Sequence, residues 1–210
     1  MTGIAELWRS RDPRVWDEAL THYWDFVLPA NLDLERRMES LDVERIRQLD
    51  ARGWYDFLLN EYFRWKYTAR NRYATTTKLL RQYAEASALA ALARVKDRLF
   101  AFDLSDISAG LSIACEIKGL GPAGGSGLLA VMFPAAFVTA DQFVVKALRS
   151  VEDLPESSAV AKMKPEQLAL ADAAALIAIM RRKAAENNQT FRTSTWTPRM
   201  VDKVLWTYGR

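Results

Sequence analysis

The apolar residues of this chain recur mainly at helical spacing. After Asp12-Pro13, a pair typical of a helix start, one helical face would carry Trp16, Leu20, Tyr23, Trp24 and Val27. Proline fits the first helical turn, and an Asp, Ser or Thr just before the helix accepts hydrogen bonds from its free amides. Ser105-Asp106 and Thr197-Pro198 begin further helices on the same grounds. The pattern therefore predicts a largely helical chain.

Other helix boundaries are indicated by glycine, proline and acidic residues. Asp42 begins two helices with a break at Gly53, and Thr75–Asp97 forms one long helix or two short ones. Lys164-Pro165 begins a long helix, and the preceding "VEDLPESSAVAKMK" is a loop. We predict an all-α protein. Its residues 1–210 form one unit, in which a central segment, 105–150, is flanked by helices in 1–104 and 151–210.

The stretch "IKGLGPAGGSGLLAVMFPAAFVTADQF", from Ile117 to Phe143, has two interpretations. Gly119, Gly121 and Gly124 satisfy the G-x-G-x-x-G pattern of a dinucleotide-binding turn, with an Asp about twenty residues further on. That turn requires a parallel sheet, and no β-branched runs flanked by turns follow Asp141. We therefore favour the second interpretation, a helix–hairpin–helix motif at about 107–133.

A glycine-containing hairpin between two helices can bind a phosphate. Gly119 and Gly121 allow positive φ and leave room for a phosphate to approach the backbone. The amides of the turn and of the second helix's first residues point outward unpaired, at the end of the helix dipole that favours anions. Such a hairpin binds the DNA backbone without distinguishing sequence. The predicted backbone-binding residues are Lys118, Gly119, Gly121, Ala123 and Gly124.

The segments "IKGLGPAGG" and "FVTADQFVVKAL" together resemble the helix–hairpin–helix DNA glycosylase superfamily, over about residues 107–149. That family has a hairpin of the form "LPGVGxKTA", then a helix, then a short apolar segment that ends in an Asp. Here Asp141 follows Ala123 by eighteen positions, as in the family. The resemblance implies a two-lobed helical fold, double-stranded DNA as partner, and Asp141 as the catalytic acid.

The departures from the family pattern narrow the implied activity. Members that also cleave the DNA backbone carry a Lys where this chain has Ala123, so the resemblance implies a monofunctional enzyme that leaves an intact abasic site. Cys115 and His22 are the only residues of their kinds, which excludes an iron–sulfur cluster, multi-histidine metal sites and histidine-based triads. We expect no metal and no cofactor, apart from a monovalent cation that hairpin carbonyls could hold.

Asp141 has a catalytic and a structural interpretation. Cleavage of an N-glycosidic bond builds positive charge on the sugar, and a fixed carboxylate can stabilise that charge and orient the attacking water. Alternatively, Asp141 only caps the helix that begins at "QFVVKAL". The two roles are compatible, because a cap position holds the carboxylate rigidly.

Basic residues are concentrated in two stretches. The basic run, Asn60–Arg81, has six cations against Glu61 alone, and the basic tail, residues 181–210, has seven cations against two acids. Such segregation is typical of a nucleic-acid-binding face, although a solvated helix surface has the same composition. The predicted phosphate contacts are Lys66, Arg70, Arg72 and Arg199.

Aromatic residues alternate with the cations of the basic run. Tyr62 and Trp65 are the predicted walls of a pocket for a base that has left the duplex, although a core-facing helix would show the same spacing. No apolar run is long enough to cross a bilayer, and the first residues lack the layout of a secretory signal. We expect a monomeric, cytoplasmic protein associated with the nucleoid.

The leading functional hypothesis is a monofunctional DNA glycosylase. It would excise a damaged or modified base, either in base excision repair or in defence against phage DNA that carries modified bases. The alternative is a non-catalytic helix–hairpin–helix DNA-binding protein. An enzyme with a nucleotide cofactor is the third hypothesis, and it depends on the parallel sheet that the sequence lacks.

Overall fold

The computed structural model describes residues 3–210, with only the backbone of Ala86. The first half of the chain forms eight α-helices: α1 Ile4–Arg9, α2 Pro13–Thr21, α3 Leu32–Glu39, α4 Val43–Gln48, α5 Ala51–Phe57, α6 Phe63–Lys66, α7 Arg70–Leu80 and α8 Ala86–Leu99. The second half forms six: α9 Ile107–Cys115, α10 Pro122–Met132, α11 Gln142–Arg149, α12 Ser157–Lys162, α13 Leu170–Phe191 and α14 Pro198–Gly209. The described residues contain no strand, so the all-α prediction is confirmed.

Capping side chains mark most of the predicted helix starts. Asp12, Asp42, Asp106 and Thr197 each accept a hydrogen bond from a backbone amide in the first turn that follows. The predicted break at Gly53 is wrong. Asp50 caps α5 instead, and it does so by accepting a hydrogen bond from the amide of Gly53 at 2.7 Å. The glycine therefore lies inside the helix.

Two expectations for the second half of the chain are also corrected. The segment expected to be a loop contains α12. The long helix expected from Lys164-Pro165 begins only at Leu170, because the Asp172 carboxylate accepts the Ala169 amide at 2.9 Å and fixes the first turn there. Thr75–Asp97 is divided between α7 and α8 by a short 3₁₀ turn, Arg81–Tyr83.

Helix α10 lies at the centre of the packing. Its residues from Gly124 to Met132 are all buried, as expected for a helix that is apolar on every side. It packs against α9 and α13, while α14 packs against α2, α11 and α13. Helices from the first and last parts of the chain, α2 and α14, therefore pack together, and α14 also packs against α11 of the central segment 105–150.

A π-helical segment, Leu58–Tyr62, connects α5 to α6. Such segments insert an extra residue into a helical turn and are frequent at functional sites. Here Tyr62 and Phe63 are fully buried, while Trp65 and Lys66 of α6 line a cleft. Within residues 3–210, no helix has both the length and the apolar character that a bilayer crossing requires.

Candidate functional site

The turn between α9 and α10 depends on Gly119. Its φ is +94°, and a Cβ there would lie 2.5 Å from the carbonyl oxygen of Thr76. Gly121 differs from the expectation: its φ is −91°, and a Cβ there would meet no other atom. Positive φ is therefore confined to Gly119, and the group that needs the space beside it is a carbonyl of α7 rather than a phosphate.

The hairpin holds a group of unpaired amides. The Lys118 amide donates to the Tyr83 hydroxyl at 3.3 Å, and the Leu120 amide donates to the Ile117 carbonyl. Within residues 3–210, four amides of this region have no acceptor: those of Gly119, Gly121, Ala123 and Gly124. Those of Gly121, Ala123 and Gly124 belong to the N-cap and first turn of α10, where the helix dipole favours an anion.

The predicted DNA-backbone residues differ in exposure. Lys118 is exposed, and its ammonium lies 5.3 Å from the centre of the Tyr83 ring. Gly121 is also exposed. Gly124 is buried, and a Cβ there would lie 2.4 Å from the Tyr67 hydroxyl, so the absent side chain makes room for Tyr67. The close approach expected between DNA and Gly124 is corrected accordingly.

Carbonyls of the hairpin accept hydrogen bonds within the protein. The Gly119 carbonyl accepts a hydrogen bond from Tyr67 at 2.9 Å, and the Ile117 carbonyl accepts one from Leu120 at 2.9 Å. A carbonyl oxygen has two lone pairs and can accept a second partner, so the monovalent cation at the hairpin stays a prediction. No group of three or more His, Cys, Asp or Glu residues in the described part of the chain could hold a metal ion.

Asp141 caps α11 and also lines the cleft. Its Oδ1 accepts the amides of Phe143 at 2.9 Å and Val144 at 3.3 Å. Its Oδ2 has no hydrogen-bond partner among the described residues. Burial raises the pKa of the Asp141 carboxyl, and the nearby Lys66 ammonium opposes that rise. One oxygen therefore fixes the side chain, and the other remains available.

Two polar side chains hold the segment that leads to Asp141. Ser126 is fully buried, and its Oγ accepts the Ala140 amide at 3.0 Å and donates to the Ala123 carbonyl at 3.2 Å. Asp202 of α14 accepts the Thr139 amide at 2.8 Å. Sequence reasoning missed both residues, because a buried Ser and a buried Asp within apolar helices carry no distinctive spacing.

The cleft has a volume of about 400 Å³. Of the predicted site residues, it contains Trp65, Lys66, Arg72, Ala123, Asp141 and Arg199. Aromatic side chains form much of its wall, namely Tyr23, Phe26, Trp65, Tyr67, Phe143 and Trp206. The start of α10 and the predicted catalytic carboxylate thus share one cavity.

The two predicted base-pocket residues have different positions. Trp65 lines the cleft, and its Nε1 donates to Glu35 at 2.5 Å. Tyr62 is fully buried and lies outside the cleft, with its hydroxyl donating to the Gly124 carbonyl. The prediction for Tyr62 is therefore corrected: its ring supports α10 from below and has no surface on which a base could stack.

Arg199 is also corrected. Its guanidinium is buried between Asp202 and Glu35, bonds Asp202 directly, and donates to Thr139 Oγ1 at 3.0 Å. Burial alone would lower the pKa of Arg199, but the two carboxylates and Tyr23 raise it above its usual value. This cation therefore holds the cleft together instead of facing solvent as a phosphate contact would.

Glu35 is a further cleft residue that the sequence did not reveal. It is buried, and its two oxygens accept hydrogen bonds from the Tyr23 hydroxyl and the Trp65 indole, each at 2.5 Å. It lies in an acid-rich stretch whose other members are mostly exposed, so no feature of the sequence distinguished it. Its effect is to fix two aromatic walls of the cleft.

The remaining predicted phosphate contacts belong to the basic run. Arg70 and Arg72 are exposed on α7 and form no ion pair among residues 3–210, and Arg72 also lines the cleft. Lys66 is half-buried and lines the cleft, and burial lowers the pKa of its amine although the nearby Asp141 opposes this.

Comparison of the chain with protein-family models, with curated proteins and with solved structures gives no match.

Proposed function

We propose that this protein is a monofunctional DNA glycosylase that hydrolyses the bond between a damaged or modified base and its deoxyribose. The observation that carries the proposal is the shared cleft: Asp141 presents an unpaired carboxylate oxygen in the cavity that Ala123 also lines at the start of α10. A phosphate bound at the hairpin amides would bring the adjoining nucleotide toward that carboxylate.

The chemistry needs a negative charge that is fixed beneath the sugar. As the base departs, the deoxyribose acquires oxocarbenium character, and a pre-oriented carboxylate stabilises it more than it stabilises the ground state. The two amides that Asp141 caps hold its side chain in place. The same carboxylate can orient the water that attacks C1′. Ala123 supplies no amine, which favours hydrolysis as the step that releases the base.

The aromatic wall suits a base that has been rotated out of the duplex. Pockets for small ligands have volumes of roughly 300–1,000 Å³, and the cleft lies within that range at about 400 Å³. Trp65, held by Glu35, and the neighbouring aromatics offer faces on which a base can stack.

The proposed partner is double-stranded DNA, and the proposed architecture is the two-lobed helical one of the family that the hairpin resembles. A cleft lined by residues from both ends and the middle of the chain supports that architecture. Repair of damaged bases and defence against modified phage DNA would use the same chemistry, and they differ only in the base.

Base release from a panel of DNAs tests the proposal. The full chain would be incubated with genomic DNAs that carry alkylated, oxidised or hypermodified bases, and freed bases would be identified by mass spectrometry. Asp141→Asn should reduce base release by about 10²- to 10⁴-fold, because Asn preserves the cap and removes the charge. In the wild type, base release should fall on acidification, and because burial raises the Asp141 pKa, it should do so at a higher pH than for an exposed Asp.

The matched control is Asp106→Asn. Asp106 caps α9 through the Ala109 amide at 2.9 Å but does not line the cleft. Its variant should release the base at the wild-type rate. Undiminished release by Asp141→Asn would contradict the assignment of Asp141, and no release from any DNA in the panel would contradict the enzymatic proposal.

A second candidate is a non-catalytic DNA-binding protein, which the unpaired hairpin amides alone would support. Gly121→Ala separates an effect on DNA contact from an effect on folding, because the added methyl group meets no protein atom. If the hairpin holds DNA, this variant should bind duplex more weakly without a loss of thermal stability. A DNA-binding protein without activity would in addition bind equally well after Asp141→Asn.

A further inference from the structure

Lys66 is a cation of the cleft that the proposed base release does not use. It is the last residue of α6 and is half-buried. Among the residues that the structure describes, its amine makes no hydrogen bond and no ion pair. It is also the only lysine that lines the cleft.

The stem of Lys66 runs along α10. Its Cδ and Cε lie 3.2 and 3.3 Å from the position that a Cβ on Gly127 would take. Gly127 follows Ala123 by one helical turn, so the two residues share a face of the helix. Ala123 and Lys66 both line the cleft. A side chain from α6 thus carries an amine along the face of α10 that includes position 123.

The surroundings of the amine lower its pKa. Burial lowers the Lys66 pKa, and the charge of Arg199 acts in the same direction. Asp141, Asp202 and Glu35 oppose the shift without cancelling it. A lysine with a lowered pKa is unprotonated more often near neutral pH, and the neutral amine is the nucleophile that forms imines with carbonyl groups.

We propose that the Lys66 amine captures the aldehyde of the ring-opened abasic sugar as a covalent imine after the base has left. This inference rests on the proposed function, because base release supplies the aldehyde. The amine adds to C1′, and the resulting carbinolamine loses its hydroxyl as water. Addition of one water reverses the reaction and returns the free amine and the aldehyde, so no oxidant or reductant is needed.

Capture would change the fate of the product. Position 123 lacks the amine that the strand-cleaving members of the resembled family carry, so the resemblance implies that an abasic site leaves the enzyme without a covalent stage. Lys66, which lies on α6, would supply the amine for a covalent stage instead. The imine would hold a reactive aldehyde in the cleft until water releases it.

Borohydride trapping tests the inference without knowledge of the excised base. The probe is a duplex oligonucleotide with one pre-formed aldehydic abasic site, incubated with the full chain and sodium borohydride. Hydride reduces an imine to a stable secondary amine, so a protein–DNA conjugate should appear on a denaturing gel. Mass spectrometry of its peptides should locate the adduct at Lys66. A duplex with tetrahydrofuran at the same position has no aldehyde and should give no conjugate.

Variants of Lys66 and of Lys162 show whether the conjugate depends on the Lys66 amine. Lys66→Arg keeps the positive charge but forms no stable imine, so the conjugate should be lost; Lys66→Gln provides a second variant if Lys66→Arg melts below the wild type. Lys162→Ala, at an exposed position on α12 outside the cleft, should form the conjugate like the wild type.

The outcomes separate this inference from the proposed function. No conjugate with wild type, or an adduct on another amine, would overturn the role of Lys66 while base release still stood. A conjugate at Lys66 from a protein that releases no base from any DNA would sustain the amine assignment and remove the glycosylase activity.

Discussion

The basic run and the basic tail have similar compositions but different surroundings. In the run, Arg64, Arg70, Arg72, Lys78 and Arg81 are exposed and form no ion pair among the described residues. In the tail, most cations are bound within the protein: Arg181 by three carbonyls, Arg182 by Glu156, Lys183 by Trp8 and Glu186, Arg199 by Asp202, Lys203 by Glu39 and Arg210 by Phe26.

The difference shows that an excess of cations in a sequence does not locate a nucleic-acid surface. A cation contributes to steering and to counterion release only where it faces solvent. The tail lies against the core, and its cations are bound there by carbonyl groups, by acids of the same helix and by acids from distant parts of the chain. The run has only Glu61 nearby in sequence and keeps its charges free. It is therefore the proposed DNA-facing surface.

The largest expected effect comes from breaking a tail contact. Arg199→Ala would leave the buried Glu35 and Asp202 carboxylates without their cation, and loss of one partner of a buried pair costs about 3–5 kcal/mol. Urea titration of the wild type and of the variant measures this loss of unfolding free energy. Arg64→Ala in the run should change it by less than about 0.5 kcal/mol. Equal losses would contradict the distinction between the two stretches.

The second prediction concerns DNA affinity. Replacing Arg70, Arg72 and Lys78 with alanine should lower the salt dependence of duplex binding by about one unit of log–log slope for each lost phosphate contact, with the unfolding free energy nearly unchanged. Fluorescence anisotropy across a salt series measures the slope. The tail variant Arg182→Ala/Arg192→Ala should keep the wild-type slope. The opposite pattern would place the DNA surface on the tail.

The smallest expected effect is the loss of unfolding free energy when an exposed ion pair of the tail, rather than a buried one, is removed. Arg182 bonds Glu156 through two nitrogens, but its side chain is 49 % exposed, compared with 9 % for Arg199. Exposed ion pairs contribute about 0–1 kcal/mol, so Arg182→Ala should destabilise the protein by no more than that. A loss as large as that of Arg199→Ala, measured by the same titration, would show that burial is not the deciding variable.

Local chemistry explains which parts of the fold could be predicted. The helices that begin at Pro13, Ile107, Gln142 and Pro198 have caps that act within a few residues, so their starts are visible in the sequence. The start of α13 depends on Asp172, which lies inside the helix that was predicted to begin at Lys164-Pro165. The hydrogen bond of Asp172, and not the proline, determines where this helix begins. Where two local features compete, composition alone does not decide the outcome.

The candidate site was predictable only in part, for a related reason. Asp141 and the hairpin could be found because both lie in one short segment with a fixed spacing. Glu35, Ser126 and Asp202 act through contacts across 12 to 63 positions of the chain, such as Tyr23 to Glu35 and Thr139 to Asp202. Tyr62 and Trp65, three residues apart, point to different environments on either side of the end of the π-helical segment. Side-chain direction of this kind depends on tertiary packing.

The bridge made by Ser126 has a mechanical consequence. Its hydroxyl joins the carbonyl of Ala123, in the first turn after the hairpin, to the amide of Ala140, the immediate neighbour of the acid. In the proposed function, a DNA strand bound at the hairpin would lie at a fixed distance from that acid. The nucleotide that the proposed enzyme binds at the hairpin would therefore determine which sugar lies within reach of Asp141.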